Sequence, residues 1–353
     1  MIDQAILGDL LSRLRKHPTA SLALLPTPVH PLPNLGAHLG GHNLWIKRDD
    51  LTGLEGGGNK TRKLEYLVGD AIAKGADMLV TVGAIQSNHT RQTAAAAAKT
   101  GLKCALLHCA WTKDAGPQYR SVGNVLLSHL MGAELYVEET ERPIEDQGPL
   151  DAFIARLESD GHKPYLLPGG ASEHRLGSFG YVQCAAEIAA QAAEKNISFD
   201  YLVHCTGSSG TQAGLLAGFA AVGVDTRVIG VSDDDETEIK KHRVLRLAND
   251  ALGELGLDAR VSADDVEIIA ASANTYGAPD REIVECIQLF AQKEGLIADP
   301  VYEGRAIRGL MKLIAAGRID KSAKVLLMHL GGSPATHAYA DQFSSIELQP
   351  FDA

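Results

Sequence analysis

The sequence predicts an α/β protein with two domains, each an open, mostly parallel sheet flanked by helices. Near-continuous apolar runs at 77–85, 201–207 and 324–332 are typical of parallel strands that are covered on both faces. Amphipathic segments alternate with these runs along the chain, as in doubly wound sheets. Glycine-rich turns follow all three runs, at the carboxyl ends where ligands bind in such sheets.

The remaining elements follow from the same two patterns. In 62–75, apolar residues recur at i, i+3, i+4, i+7 and i+8 from Leu64, which predicts a helix. A second helix is predicted to begin at Asn88 and end at Gly101, where both ends carry suitable capping residues. The acidic run 233–241 is predicted to be a solvated loop leading into a helix. Seven strands are predicted, at 77–85, 103–110, 133–139, 163–170, 201–207, 227–232 and 324–332.

Composition and charge exclude several classes of protein. The 353 residues suffice for two domains, and the net charge of −11 argues against a nucleic-acid partner. No apolar run reaches the ~18 residues of a membrane span, and the N-terminus does not resemble a signal peptide. We therefore expect a cytoplasmic protein. An odd number of cysteines without a CxxC pair predicts reduced thiols and no metal site: Cys104, Cys109, Cys184, Cys205 and Cys286.

The turn TGSSGT (206–211) is a candidate phosphate site. It joins a predicted buried strand to a helix, so that backbone N–H groups, hydroxyl groups and the helix N-terminus converge. The alternative is a turn of small residues needed only for close packing. The pattern is neither GxxxxGK[ST] nor GxGxxG, which disfavours nucleoside triphosphates and dinucleotides. The candidate ligands are Gly207, Ser208, Ser209, Gly210 and Thr211.

Lys60 is the second candidate, because it follows three glycines in GGGNKTRKLEY and precedes a predicted helix. Most lone lysines are surface charges. A phosphate cup together with such a lysine on an α/β scaffold suggests pyridoxal 5'-phosphate (PLP), with the lysine as its Schiff-base partner. Arg62 and Lys63 lie nearby in sequence and are candidates for lowering the pKa of Lys60. Lys63 is the rival for the Schiff base, although it falls inside the predicted helix.

Five further residues lie in turns near the predicted strand ends. Ser87 is either a helix cap or a hydroxyl group that meets the substrate, and Asn88 would donate to a cofactor oxygen. Tyr276 and Tyr302 are either ordinary core residues or active-site hydroxyls. Glu303 is either a helix N-terminal charge or a carboxyl group that keeps a pyridine nitrogen protonated.

Five motifs together resemble those of the fold-type-II PLP enzymes: GGGNKTRKLEY, GAIQSNHTRQTAA, GSSGTQAGL, YGAP and DPVYEGRA. The architecture of these enzymes is like that of the tryptophan synthase β chain. More narrowly, they resemble the family of D-cysteine desulfhydrase, 1-aminocyclopropane-1-carboxylate (ACC) deaminase and L-cysteate sulfo-lyase. The resemblance extends from about residue 25 to residue 339, and about the first twenty residues look like an extension.

The resemblance implies an active site between two domains. A large PLP-binding domain would comprise 1–64 and 166–353, and a small inserted domain would comprise 65–165. Homodimers are also implied by the family. The implied roles are Schiff-base lysine for Lys60, ring-oxygen ligand for Asn88, phosphate loop for residues 207–211, catalytic groups for Ser87, Tyr276 and Tyr302, and ring-nitrogen partner for Glu303.

The resemblance leaves the reaction open. The turns around Lys60 and Ser87 look closer to the desulfhydrases, and our main interpretation is a lyase that removes sulfide or sulfite from a small amino acid to give pyruvate and ammonia. Glu303 and Leu330 are deaminase-like, where desulfhydrases tend to carry hydroxyl residues, whereas His89 replaces the glutamine of the deaminase motif. The alternative is therefore an ACC deaminase, which gives 2-oxobutyrate and ammonia. A non-catalytic PLP-binding protein is a much less favoured third interpretation, and a nucleotide-dependent oxidoreductase is the least favoured.

Overall fold

The computed structural model describes residues 3–112, 116, 118–139, 148–234, 237–271, 276–343 and 349. The strands within these ranges are β1 Val29–Pro31, β2 Asn43–Arg48, β3 Met78–Ala84, β4 Lys103–Cys109, β5 Glu134–Glu138, β6 Pro164–Leu167, β7 Tyr201–Thr206, β8 Arg227–Ser232, β9 Glu267–Ala270 and β10 Lys324–His329. The helices are α1 Gln4–Leu14, α2 Pro33–His38, α3 Asn59–Ala73, α4 Asn88–Thr100, α5 Gly123–Leu130, α6 Gly148–Ser159, α7 Phe179–Glu194, α8 Gly210–Val222, α9 Thr237–Glu254, α10 Arg281–Glu294, α11 Glu303–Ala315 and α12 Ser333–Thr336.

The larger sheet has six strands in the order β1-β2-β10-β7-β8-β9. Only the pair β1–β2 is antiparallel, whereas the other pairs in the sheet run parallel. Strand β10, near the end of the chain, lies between β2 and β7 in the middle of the sheet. The predicted α/β class with mostly parallel sheets is confirmed. The pattern missed β1, β2 and β9, which are short or carry alternating polar residues.

The smaller sheet has four parallel strands in the order β5-β4-β3-β6. Strand β3 is buried along its whole length because it lies inside the sheet and is covered by helices on both faces. These strands all lie between Met78 and Leu167. The domain boundaries at 65–165 remain a prediction.

The larger sheet is covered by apolar layers on both faces. One layer centres on α7 and α8, and the other on α10 and α11. Helix α1 belongs to the first layer, where Leu7, Leu10 and Leu14 are buried against α7 and α8. Helix α1 is therefore part of the core, although the resemblance to the family begins only after it. No helix within the described ranges is long and apolar enough to span a membrane.

A buried network of charges fixes helix α3. The Arg62 guanidinium donates to both carboxylate oxygens of Asp49 (2.8 and 2.9 Å) and to Glu187 (3.0 Å). Lys47 also pairs with Glu187 and donates to the Thr27 carbonyl at 2.8 Å. Arg62 lies two residues after Lys60, so the network sets where the start of α3 lies. The charge of Arg62 is balanced by these carboxylates, and Arg62 is not among the groups that shift the pKa of Lys60 most, contrary to the expectation from sequence.

Candidate active site

Glycines bring Lys60 to the ends of the strands. Gly58 precedes α3 with φ +125°, a conformation that residues with a side chain rarely adopt. The next N–H group, that of Asn59, donates to the Leu330 carbonyl just beyond β10 (2.9 Å). Lys60 is thus the second residue of a helix whose first turn is anchored at the carboxyl end of the larger sheet.

The Lys60 side chain is half-buried within the site, and its amine donates to Asn59 Oδ1 at 3.0 Å. Burial lowers the pKa of Lys60 to about 8, whereas Asp233 and Asp299 raise it and Arg91 adds to the lowering. An amine with such a pKa can take up and release a proton near neutral pH, as Schiff-base chemistry requires.

The predicted phosphate loop lies next to Lys60. A Cβ atom on Gly170 would lie 2.5 Å from Ser208 Oγ and 4.0 Å from Lys60 Cε, so only glycine fits between the two. At the other end of the loop, Asn59 Nδ2 donates to Thr211 Oγ1 (3.1 Å). The loop from Gly207 to Thr211 and the lysine therefore face one common space.

Ser209 has the features of a ligand residue. It precedes α8 in the left-handed conformation (φ +70°), which costs about 1–2 kcal/mol for a residue with a side chain. Its Oγ is buried, and no protein atom in the described ranges hydrogen-bonds to it. A glycine would adopt this conformation without strain, so the hydroxyl group indicates a polar ligand at the N-terminus of α8.

Lys63 lies behind the loop and does not take the place of Lys60. Its Nζ donates to Ser172 Oγ (2.9 Å) and to the Gly170 carbonyl (3.3 Å). Ser172 Oγ in turn hydrogen-bonds Ser208 Oγ at 2.8 Å. Burial and the charge of Lys60 hold the pKa of Lys63 well below its usual range. The i, i+3 spacing from Lys60 was the sequence signal that both lysines face the same region.

Ser87 and Asn88 begin helix α4. Ser87 Oγ accepts the N–H groups of His89 (3.2 Å) and Thr90 (3.3 Å), so this serine is a helix cap whatever its role toward a substrate. Asn88 Oδ1 accepts a hydrogen bond from Asn124 Nδ2 (2.8 Å). The Nδ2 group of Asn88 is therefore the one that can donate to a ligand. That donor lies 2.9 Å from where a Cβ atom on Gly332 would be, at the end of β10.

Tyr276 and Tyr302 form a half-buried pair with 2.7 Å between their hydroxyl oxygens. Burial raises the pKa of both phenols, so both remain protonated. One hydroxyl hydrogen is used within the pair. The pair can therefore donate one further O–H to a ligand.

Glu303 is a buried carboxyl group at the first position of α11. Burial, with Asp299 adding to it, raises its pKa well above the usual range. Its Oε1 is buried and has no partner in the described ranges, and Oε2 lies 3.8 Å from His329 Nδ1. Because burial also lowers the pKa of His329, both groups are neutral near pH 7.

Asp299 was missed by sequence reasoning, although it lies in the singled-out motif DPVYEG. Its Oδ1 accepts the N–H groups of Val301 (2.8 Å) and Tyr302 (2.9 Å), so it holds the turn that leads into α11. Burial raises the pKa of Asp299 to about 6. An aspartate four residues before a predicted helix was the available signal.

These groups fit the functional ends of PLP. Ser209 Oγ and the N-terminus of α8 suit the phosphate, the Lys60 amine suits the aldehyde, and the unpartnered Glu303 Oε1 suits the pyridine nitrogen. No three His, Cys, Asp or Glu side chains in the described part of the chain are arranged to hold a metal ion.

A family model described as pyridoxal-phosphate dependent enzyme matches residues 20–331. The chain belongs to this family. The predictions of PLP as the cofactor and of a PLP-dependent enzyme are thereby confirmed.

Members of the family with known names resemble the chain along almost its whole length. An ACC deaminase of Methylobacterium sp. (strain 4-46) is 44% identical over 95% of this chain and 99% of its own. One of Bradyrhizobium diazoefficiens is 43% identical, with the same shares. The crystal structure of an ACC deaminase homologue superposes with a TM-score of 0.85 at 36% identity, covering 95% of this chain and 98% of its own. These relatives favour the ACC alternative over our main interpretation of a desulfhydrase or sulfo-lyase.

A more distant structure shows the fold alone. The crystal structure of a PLP-dependent aspartate racemase has a TM-score of 0.62 at 17% identity, covering 94% of this chain and 95% of its own. The fold is thus shared with enzymes of other activities, and the side chains of the site have to distinguish the reactions.

Replacing Ser209 with glycine is expected to weaken PLP binding by about tenfold or more, because a hydrogen bond to a charged group is lost. The cofactor-free protein should be as stable as the wild type or slightly more stable, since glycine relieves the strain at this position. Equilibrium dialysis against PLP and thermal unfolding measure the two effects. Asn196→Gly is the matched control, because Asn196 has φ +53° on an exposed turn. Unchanged PLP affinity in S209G would show that this hydroxyl does not hold the phosphate.

Proposed function

We propose that the protein is an ACC deaminase, which converts ACC and water to 2-oxobutyrate and ammonia. The observation that carries the proposal is the contact between Glu303 and Leu330, the two positions at which the sequence is deaminase-like. The Leu330 N–H faces the Glu303 carboxyl group and acts to lower its pKa, and both residues are buried. The names of the relatives at 43–44% identity support the same reaction.

ACC makes a particular chemical demand on such a site. Its α-carbon carries no hydrogen, so the reaction cannot begin with removal of an α-proton and has to break a carbon–carbon bond of the ring. When bound, PLP supplies the electron sink for this bond cleavage. A neutral, protonated carboxyl group at Glu303 would share its proton with the ring nitrogen of bound PLP, which would make the ring a better electron acceptor. Burial of Glu303 makes this proton sharing stronger, because electrostatic interactions are stronger where the dielectric constant is low.

The other residues have roles that follow from their protonation states. The tyrosine pair has one O–H free to donate, and Tyr302 or Tyr276 can bind or protonate the substrate. The Lys60 amine can remove a proton from the substrate's β-carbon or return one to it, because its pKa is near neutral. The N-terminus of α4, with Ser87 as its cap, suits the substrate carboxylate.

His89 is the position at which the chain departs from the deaminase motif. Its Nε2 hydrogen-bonds Thr81 Oγ1 of β3 at 2.8 Å, so the ring is directed toward the smaller sheet. Burial and the charges of Lys60 and Lys63 hold its pKa well below the usual range. The substitution therefore adds no charge to the site, which is compatible with the proposed reaction.

Product analysis with ACC, D-cysteine and L-cysteate in parallel tests the proposal. We expect 2-oxobutyrate and ammonia from ACC, and little pyruvate from the other two substrates. Pyruvate with sulfide or sulfite, and no turnover of ACC, would contradict the proposal and restore the desulfhydrase or sulfo-lyase interpretation. The homodimer and the cytoplasmic location remain predictions.

A further inference from the structure

Asp233 lies in the wall of the site, although the sequence predicted a solvated loop there. It directly follows β8 and is only 4% exposed. Strands β7 and β8 are paired up to Thr206 and Ser232, and the Asp233 N–H donates to the Thr206 carbonyl (3.3 Å). Asp233 therefore lies beside Gly207, the first residue of the phosphate loop.

A glycine lets the carboxylate reach that loop. A Cβ atom on Gly207 would lie 2.3 Å from Asp233 Oδ2, so a side chain at this position would displace the carboxylate. On its other side, the buried Lys240 of α9 holds the carboxylate, with Nζ 3.0 Å from Asp233 Oδ1. Lys240 also pairs with Asp234, the next residue of the chain. The carboxylate is thus fixed between a cation and the loop.

The charge of Asp233 acts on the reactive groups. Among the charged groups that raise the pKa of Lys60, Asp233 is the strongest, and it also raises the pKa of Tyr276 and Tyr302. The groups that face Lys60 from the packed elements are Asp233 after β8, Asp299 before α11, Cys205 on β7, Arg91 and His89 on α4, and Lys63 on α3.

We propose that Asp233, held by Lys240 against Gly207, is a positioning residue that stabilises positive charge on Lys60 Nζ and so sets the pH range of the enzyme. The protonated nitrogen is a cation whether it is free or linked to the cofactor. A fixed anion in a buried wall stabilises that cation more than an exposed one would. The inference depends on the role of Lys60 and not on which amino acid is the substrate, so it can fail or succeed independently of the proposed reaction.

Asp234 allows a matched comparison. Asp233→Asn and Asp234→Asn each remove one carboxylate from Lys240 and leave the other in place. Asparagine has nearly the same shape as aspartate, so both variants should fold, and D233N should lose more stability because Asp233 is the more deeply buried carboxylate. Asp233 contacts the phosphate loop at Gly207, whereas Asp234 pairs with Lys240 and Ser232. A merely structural ion pair predicts equal behaviour of the two variants in any measurement on Lys60.

The experiment is a pH titration of the visible absorption of the PLP-loaded enzyme. In D233N the midpoint should move to lower pH by about one unit, because an anion near the nitrogen is lost, and D234N should titrate like the wild type. In Asp233→Ser, a second uncharged variant, the midpoint should move in the same direction. This variant keeps the inference testable if D233N does not fold. An identical pH dependence of D233N and wild type, or an equal shift in D234N, would overturn the inference.

Discussion

Replacing Lys60 with alanine is expected to lower kcat by about 10³-fold or more, because one amine both anchors the cofactor and transfers the proton. The variant should also lose the visible absorption that depends on linkage between lysine and PLP, while still binding some cofactor through the loop at 207–211. Turnover assays and absorption spectra of the purified, PLP-loaded protein measure both effects.

Lys63→Met is the matched control for this prediction. Lys63 is more deeply buried than Lys60, and its amino group lies on Ser172 and Gly170 behind the phosphate loop. We expect the variant to retain lysine-linked absorption and to bind PLP more weakly. If K60A kept its spectrum and activity while Lys63→Met lost both, Lys63 and not Lys60 would be the Schiff-base lysine.

Replacing Arg62 with methionine is expected to destabilise the protein by about 3–5 kcal/mol, because it leaves buried carboxylates without their cation. Arg62 is 1% exposed, and it makes the bidentate contact to Asp49 as well as the contacts to Glu187. The guanidinium and the Lys47 ammonium hold the pKa of Asp49 below its usual range despite its burial. The midpoint of the first urea transition measures the loss.

An exposed ion pair provides the comparison for Arg62. Arg120 contacts both carboxylate oxygens of Glu139 (2.6 and 2.8 Å), and more than half of each side chain is exposed. Arg120→Met should therefore change stability little, since solvent screens such pairs. Similar urea midpoints for the two variants would mean that the buried network adapts to the loss of its central cation.

The fold was largely predictable because its strands carry strong local signals. Continuous apolar runs located β3, β7 and β10, whose buried positions permit no polar alternation. Strand β2 was not predictable in this way, because it ends in two charged residues, Lys47 and Arg48, and a buried charge depends on a partner that the local pattern does not show. Lys47 is the clearest case: it is fully buried, and its partner Glu187 lies on α7.

The residues of the site were predictable where one short sequence motif identifies them. Ser209 and Lys60 each lie in a glycine-rich turn at a helix start, and the structure brings these turns together. Asp233 was misinterpreted because charge runs are usually solvated, and only the pairing of β7 with β8 shows that this one begins inside the site. The preference for a carbon–sulfur lyase rested on turn similarity, which did not weigh the contact between Glu303 and Leu330.

The central position of β10 has a consequence for how the chain is made. During synthesis, β2 and β7 leave the ribosome long before residues 324–329, and each then presents an unpaired edge where its neighbour is missing. Helix α3 also lacks its anchor on the Leu330 carbonyl until that point. We therefore expect cofactor capture to wait for the end of translation. A chain that stops before residue 324 should be a target for aggregation and proteolysis.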